Sequence, residues 1–302
     1  MNVSRGLAPT SAAAHVVPCD RTVIPSGTRF RSMERMTAQN EDKDWFADGD
    51  AYEHYIGRWS RPIGRLFVDW LGQPAGLRWT DIGCGAGALS ATVLERADPA
   101  RVTGIEPSQG FRSVARATIA DDRAEFRAGD AQTLPLDDGE EDISVSGLVL
   151  NFIPDQERAI REMCRIVRPG GTVAAYVWDY AGDMQLIRYF WDAVGDLFPG
   201  AAKNDEGKQF PICQPEALAD LFRAAGLQAV ETSALDAPTV FGDFDDYWSP
   251  FLLGQGPAGA QCVALSEGDR ERLRNHLKGA LPIDPDGTIS LIARAWAVKG
   301  TR

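Results

Sequence analysis

Histidine is scarce: the chain has three in 302 residues. That argues against a Cys/His nucleophile at Cys84, the cysteine inside a glycine-rich stretch. The five cysteines (19, 84, 164, 213 and 262) are scattered, odd in number and nowhere spaced C-x-x-C. Neither a metal site nor a disulfide framework is indicated, and reduced thiols in a cytoplasmic setting are expected. No apolar run approaches membrane-spanning length. Basic residues are outnumbered, 31 Lys and Arg against 43 Asp and Glu, leaving a net charge of −12. No nucleic-acid partner is expected, because neutralising phosphates takes clustered Lys and Arg. The 44% hydrophobic content is enough for a full core, in one large domain or two.

What is present centres on Thr80-Asp-Ile-Gly-Cys-Gly-Ala-Gly87. Before it, Leu77, Trp79 and Ile82 suit a buried strand; after it, Leu89, Val93 and Leu94 recur at helical spacing. Glycines between them let the backbone bend sharply and approach a ligand without Cβ clashes. A nucleoside can lie against such a bend at a helix N-terminus. Gly83, Gly85 and Ala88 also satisfy the dinucleotide pattern G-x-G-x-x-G/A, so the bend alone does not choose the nucleotide.

Residues 1–40 carry no periodic pattern and read as a disordered extension, with a transit peptide or an upstream start before Met33 or Met36 as other readings. A helix is expected over 48–71, where Tyr52, Tyr55, Ile56, Trp59, Leu66, Phe67 and Trp70 recur at three and four. Its stretch from Tyr55 to Arg61 reads either as a docking helix or as a flap whose Arg58 or Arg61 meets a carboxylate. From residue 77 strands and helices alternate: strands over 77–82, 101–106, 124–128, 141–146 and 172–178, with Ser108 capping the helix after the second. This repetition implies an α/β fold with a parallel sheet covered on both faces, its ligands lying outside the strand C-termini. Further on, a helix is expected over 183–197, a polar loop over 201–208, a helix over 215–225 ended by Gly226, and a strand over 227–235. An aromatic loop follows at 237–262, then a helix over 267–278, a turn at Asp286-Gly287 and a final strand over 289–298.

Each strand end carries a group with a nucleoside task. Asp81 could bind an ammonium, and Glu106 could accept both ribose hydroxyls. Asp130 with the Ala131 amide could address an adenine edge, and Ser146 and Gly147 could line the floor. The motifs Asp81-Ile-Gly-Cys-Gly-Ala-Gly87, Gly104-Ile-Glu-Pro-Ser108, Gly129-Asp-Ala-Gln-Thr-Leu-Pro135, Asp142-Ile-Ser-Val-Ser146 and Arg168-Pro-Gly-Gly171 occur in this order over about residues 45–235. In that order and spacing the chain resembles class I S-adenosylmethionine-dependent methyltransferases, and among them small-molecule enzymes such as quinone-pathway methyltransferases.

The resemblance implies a Rossmann-like seven-stranded sheet of order 3-2-1-4-5-7-6 with the last strand antiparallel, in one domain over 41–302. It implies S-adenosyl-L-methionine as cofactor, with roles for Asp81, Glu106, Asp130 and Ser146 in binding it; Arg58, Gly83, Cys84, Gly85, Pro107, Ser108, Ala131, Gln132 and Gly147 are expected around it as well. Insertions at 179–213 and 236–286 depart from that branch and are expected to form an acceptor pocket or lid, with Trp178, Tyr180, Trp248 and Phe251 on its wall. Gly254, Gly256 and Gly259 make the 250s a candidate moving segment. The acceptor is expected to be small and apolar or aromatic. His54, Tyr55 and Asp179 are the candidates for a base; an exposed helix histidine and a capping aspartate are the plainer readings of the first and last. A nicotinamide enzyme would share the glycines and Glu106 but leaves the Gly129 and Arg168 motifs without a task. A cofactor-binding sensor without transferase activity would carry the same motifs. Oligomeric state is left open.

Overall fold

The computed structural model describes residues 57–302, which fall in one compact unit. The 1–40 extension, His54 and Tyr55 lie outside the described residues, as does the start of the helix expected over 48–71.

Seven strands form one sheet: β1 (Arg78–Ile82), β2 (Arg101–Ile105), β3 (Ala124–Arg127), β4 (Glu141–Gly147), β5 (Val167–Trp178), β6 (Gln228–Phe241) and β7 (Ile289–Thr301). Their order is β3-β2-β1-β4-β5-β7-β6. The pairs among β1 to β5 are parallel, whereas β7 runs antiparallel to both β5 and β6. The order expected from the motifs is therefore the one observed. Consecutive buried residues in β1, β2, β4 and β5 mean both faces of the sheet are covered. The chain winds outward from β1 to β3, then returns to β4 beside β1. This reversal opens a crevice beyond the ends of β1 and β4.

α1 (Arg58–Leu71) precedes β1, and α2 (Ala88–Arg96), α3 (Gln109–Thr118) and α4 (Gln156–Ile166) follow β1, β2 and β4. In α1 the buried positions are Ser60, Ile63, Gly64, Phe67, Val68 and Leu71, a stripe at three- and four-residue steps. Gly72 ends the helix in the left-handed region, its N–H bonded to Val68 O at 3.3 Å. Gly64 faces α2, where a Cβ would stand in ordinary contact with Thr92 Oγ1 at 3.5 Å. Ser108 caps α3 as expected, its Oγ accepting the Phe111 N–H at 3.4 Å.

The last third holds α5 (Gln185–Leu197), α6 (Glu206–Gln209), α7 (Pro215–Ala224), α8 (Phe244–Trp248), α9 (Gly256–Ala264) and α10 (Glu267–Ala280). Two expectations are corrected here. The polar loop over 201–208 is a 3-10 turn followed by α6, and Glu206 is buried. Its carboxylate accepts from Trp191 Nε1 and from the Ala258 N–H, and burial pushes its pKa up to about 7. The aromatic loop over 237–262 is first a continuation of β6, paired with β7 as far as Phe241 opposite Ile289. It then becomes α8, a 3-10 turn (Ser249–Leu253) and α9. Helical turns bring Phe244, Tyr247, Trp248 and Phe251 to one side, where their rings bury one another. Gly259 serves packing in this region, since a Cβ on it would stand 2.8 Å from the Gly254 carbonyl carbon.

Candidate functional site

The bend after β1 uses glycine where the chain demands it. Gly83, Gly85 and Gly87 have φ of +71°, +53° and +88°, the left-handed region that a Cβ disfavours. The Gly83 and Cys84 N–H groups both donate to Ile105 O, at 2.8 and 3.2 Å, which ties the bend to the end of β2. A Cβ on Gly83 would stand 2.6 Å from Val149 Cγ1, whereas one on Gly85 would meet nothing within 4 Å. Gly85 thus presents bare backbone to open space. That space is a cavity of about 310 Å³. α2 begins at its edge with no side-chain cap, leaving N–H groups of its first turn without a side-chain partner where Ala88 and Leu89 line the wall.

Two carboxylates reach the cavity from neighbouring strand ends. Asp81, on β1, is 1% exposed and its Oδ2 accepts the Ser90 hydroxyl at 2.7 Å. Burial pushes its pKa up to about 7, against the lowering effect of the Ser90 hydrogen bonds and with a smaller upward push from Glu106. Glu106, just past β2, accepts the Gly85 N–H at 3.1 Å on Oε2 and the Ser108 N–H at 2.9 Å on Oε1. Both its oxygens are therefore oriented by backbone. Cys84 also lines the cavity, but burial drives its thiol far above the ordinary range, as suits an inert packing residue.

Four aromatic residues share this lining: Phe152, Tyr176, Trp178 and Tyr180. Tyr176 and Trp178 lie two residues apart on one face of β5, and Tyr180 follows in the turn after it. Phe152 comes from a 3-10 turn (Leu150–Phe152) after β4. Leu148, also on the wall, takes a left-handed φ of +62°, its N–H held by Tyr176 O at 2.8 Å. Gly147 lines the floor, where a Cβ would stand 2.7 Å from the Tyr176 hydroxyl. From α1 come Ser60 and Arg61, and from the α3 side Phe111, Thr118 and Ile119.

Several expected residues stand elsewhere. Arg58 is not on the cavity wall. Its guanidinium bonds Asp246 at 2.9 Å and lies over the Trp59 and Phe241 rings. One helical turn on, Arg61 does line the cavity, with no ion pair among the described residues. Ser146 lies beneath the floor, its hydroxyl donating to Ile82 O at 3.1 Å and clamping β4 to β1. Pro107 and Ser108 form the turn into α3 rather than the wall. Asp130 is exposed past the end of β3, accepting the Gln132 N–H at 2.7 Å, and neither these two nor Ala131 lines the cavity. Asp179 is a buried turn residue whose Oδ2 accepts the Asp183 N–H at 2.9 Å, so its carboxylate is engaged away from the wall. Trp248 and Phe251 belong to the core: Phe251 stacks on Phe190 with centroids 4.5 Å apart, and Trp248 stacks on Phe244. No residue of 236–286 reaches the cavity, because the rings there are consumed by one another.

Phe152, Tyr176 and Leu148 escaped the sequence reading. The two-residue step back from Trp178 would have found Tyr176. Nothing local signals Leu148, whose backbone conformation depends on its neighbours. Among the described residues no group of His, Cys, Asp and Glu could hold a metal, and no helix is long and apolar enough to cross a membrane.

Residues 80–175 match the family model described as a methyltransferase domain. The chain is 28% identical over 216 residues to an uncharacterized protein of Mycobacterium tuberculosis, covering 70% of this chain and 78% of that one. It is 27% identical over 219 residues to the 2-methyl-6-phytyl-1,4-hydroquinone methyltransferase of Synechocystis sp., covering 71% of this chain and 64% of that one. The fold matches that of Haemonchus contortus phosphoethanolamine N-methyltransferase 2, solved with S-adenosylhomocysteine. The TM-score is 0.54 at 17% identity, over 87% of this chain and 59% of that one. Residues 80–175 thus match a methyltransferase domain, and the strand order and motif order agree with those of class I S-adenosylmethionine-dependent methyltransferases.

Proposed function

We propose that the protein moves the methyl group of S-adenosylmethionine onto a small apolar or aromatic acceptor by in-line displacement. The observation that carries this reading is that Phe152, Tyr176, Trp178 and Tyr180 line the same cavity as the glycine bend. The Synechocystis relative bears the name of an enzyme acting on a hydroquinone, an aromatic acceptor of the kind proposed.

When bound, S-adenosylmethionine supplies a sulfonium methyl already activated toward displacement. The chain's own task is to hold two reactants in line and keep water away, and positioning of this kind supplies roughly 7–11 kcal/mol in ideal cases. Asp81 is suited to an ammonium, because its buried carboxylate gains a counter-ion there. Glu106, pre-oriented by the Gly85 and Ser108 N–H groups, retains lone pairs for the ribose hydroxyls. Bare backbone at Gly85 allows close approach, and Arg61 is the cation available for the carboxylate end. Where the attacking atom carries a proton, His54 or Tyr55 would be the base. Free thiols at Cys84, Cys164, Cys213 and Cys262 suit a cytoplasmic setting.

The test is transfer of label from methyl-labelled S-adenosylmethionine into a pool of apolar and aromatic metabolites, followed by extraction and mass spectrometry. A labelled aromatic product supports the proposal. Label appearing only in charged polar compounds would refute the acceptor class.

A further inference from the structure

Arg112 stands early in α3 and does not line the cavity. One nitrogen of its guanidinium, Nη1, donates both to Glu106 O at 2.6 Å and to Pro107 O at 2.7 Å. Arg112 has no ion pair among the described residues, so its charge is directed at these two carbonyls. Among the described residues no backbone N–H reaches either carbonyl. The effect on the site passes through a peptide plane. In a trans peptide the C=O and the N–H point opposite ways. The Pro107 carbonyl and the Ser108 N–H share one such plane, so a carbonyl held at Arg112 aims that N–H back toward the Glu106 side chain. There it donates to Oε1 at 2.9 Å, while the Gly85 N–H donates to Oε2 at 3.1 Å. Arg112 is therefore the outer anchor of the bond that fixes one carboxylate oxygen. One helical turn on, Arg116 makes the same kind of bond to Phe126 O and ties α3 to β3 instead.

We infer that Arg112 is a positioning residue for the cofactor's ribose: by anchoring the turn from Glu106 to Ser108, it keeps the Glu106 carboxylate where both hydroxyls of the diol can donate to it. The inference rests on reading Glu106 as the ribose contact.

Affinities for S-adenosylhomocysteine and for the analogue lacking both ribose hydroxyls are measured by calorimetry on the full chain. Their ratio isolates the diol, because every other contact is common to the two ligands. The unaltered protein should prefer S-adenosylhomocysteine at least about tenfold, the least that one charge-assisted hydrogen bond supplies. In Arg112→Met the ratio should fall at least about threefold, within the range of one net hydrogen bond. Arg112→Lys, whose ammonium can also donate to two acceptors, should recover most of that loss. Arg116→Met removes the neighbouring tie and should leave the ratio in place. A ratio unchanged in Arg112→Met, a ratio as low in Arg112→Lys as in Arg112→Met, or an equal fall in Arg116→Met would each overturn the inference. If Arg112→Met does not fold, Arg112→Gln takes its place: it keeps a neutral donor but neither the charge nor the reach, and an unreduced ratio there overturns the inference. Equal binding of both ligands by the unaltered protein would overturn the ribose reading of Glu106 as well, a result distinct from a preference that does not depend on Arg112.

Discussion

Replacing Asp81 by Asn keeps the side chain's shape and removes its charge, which makes it the sharpest probe of the site. Burial raises the Asp81 pKa from 3.8 to about 7. With a folded pKa above the unfolded one, the unfolded chain releases its proton first as pH rises. The carboxyl then costs stability progressively between about pH 4 and pH 7, up to roughly 4 kcal/mol above that window. Asp81→Asn removes this dependence. In binding the sign reverses, because an ammonium prefers the ionised carboxylate. Affinity for S-adenosylhomocysteine should rise about tenfold from pH 6 to pH 8, following the ionised fraction of a group titrating near 7. At pH 7 binding should release about half a proton per site. Calorimetry in buffers of different ionisation enthalpy measures both quantities. Methylthioadenosine, which lacks the amino-acid end, should show neither the slope nor the proton release, and Asp81→Asn should show neither with either ligand. An equal slope for both ligands would refute the ammonium contact. A flat profile for S-adenosylhomocysteine in the unaltered protein would refute the raised pKa.

Three further outcomes are expected. Glu106→Ala leaves the Gly85 and Ser108 N–H groups without their acceptor and removes the proposed ribose contacts; charge-assisted bonds of about 1.5–3 kcal/mol each imply at least a tenfold loss of cofactor affinity by calorimetry. Gly83→Ala forces a left-handed φ of +71° on a residue with a Cβ 2.6 Å from Val149, so denaturant unfolding should report a loss of at least about 1–2 kcal/mol. Phe251→Ala empties a stacked core position and should cost about 3–5 kcal/mol of stability while changing affinity for S-adenosylhomocysteine little. A selective loss of ligand binding with unchanged stability would return Phe251 to the site.

The glycine bend was legible because only a few residue types tolerate its backbone, and the strand-end acids were legible because each directly follows an apolar strand. The aromatic residues were less so. Trp178 and Tyr180 reach the cavity, whereas Trp248 and Phe251, equally aromatic, do not. A loop-like run of rings in sequence carries no mark of whether its partner is a ligand or another ring. Here Phe190 on α5, some sixty residues earlier, answers that question for Phe251. The two arginines of α1 make the same point: Arg58 is spent on Asp246, 188 residues away, and Arg61 is left for the cavity.

Local composition and spacing thus determined the alternation of strands and helices, the bend and the acids at its rim, since these follow from backbone freedom and periodic burial within short stretches, while the strand order came from the family resemblance of the motifs. Which side chains face the cavity was decided only by the tertiary structure, because it depends on competition among groups far apart in the chain for the same few partners.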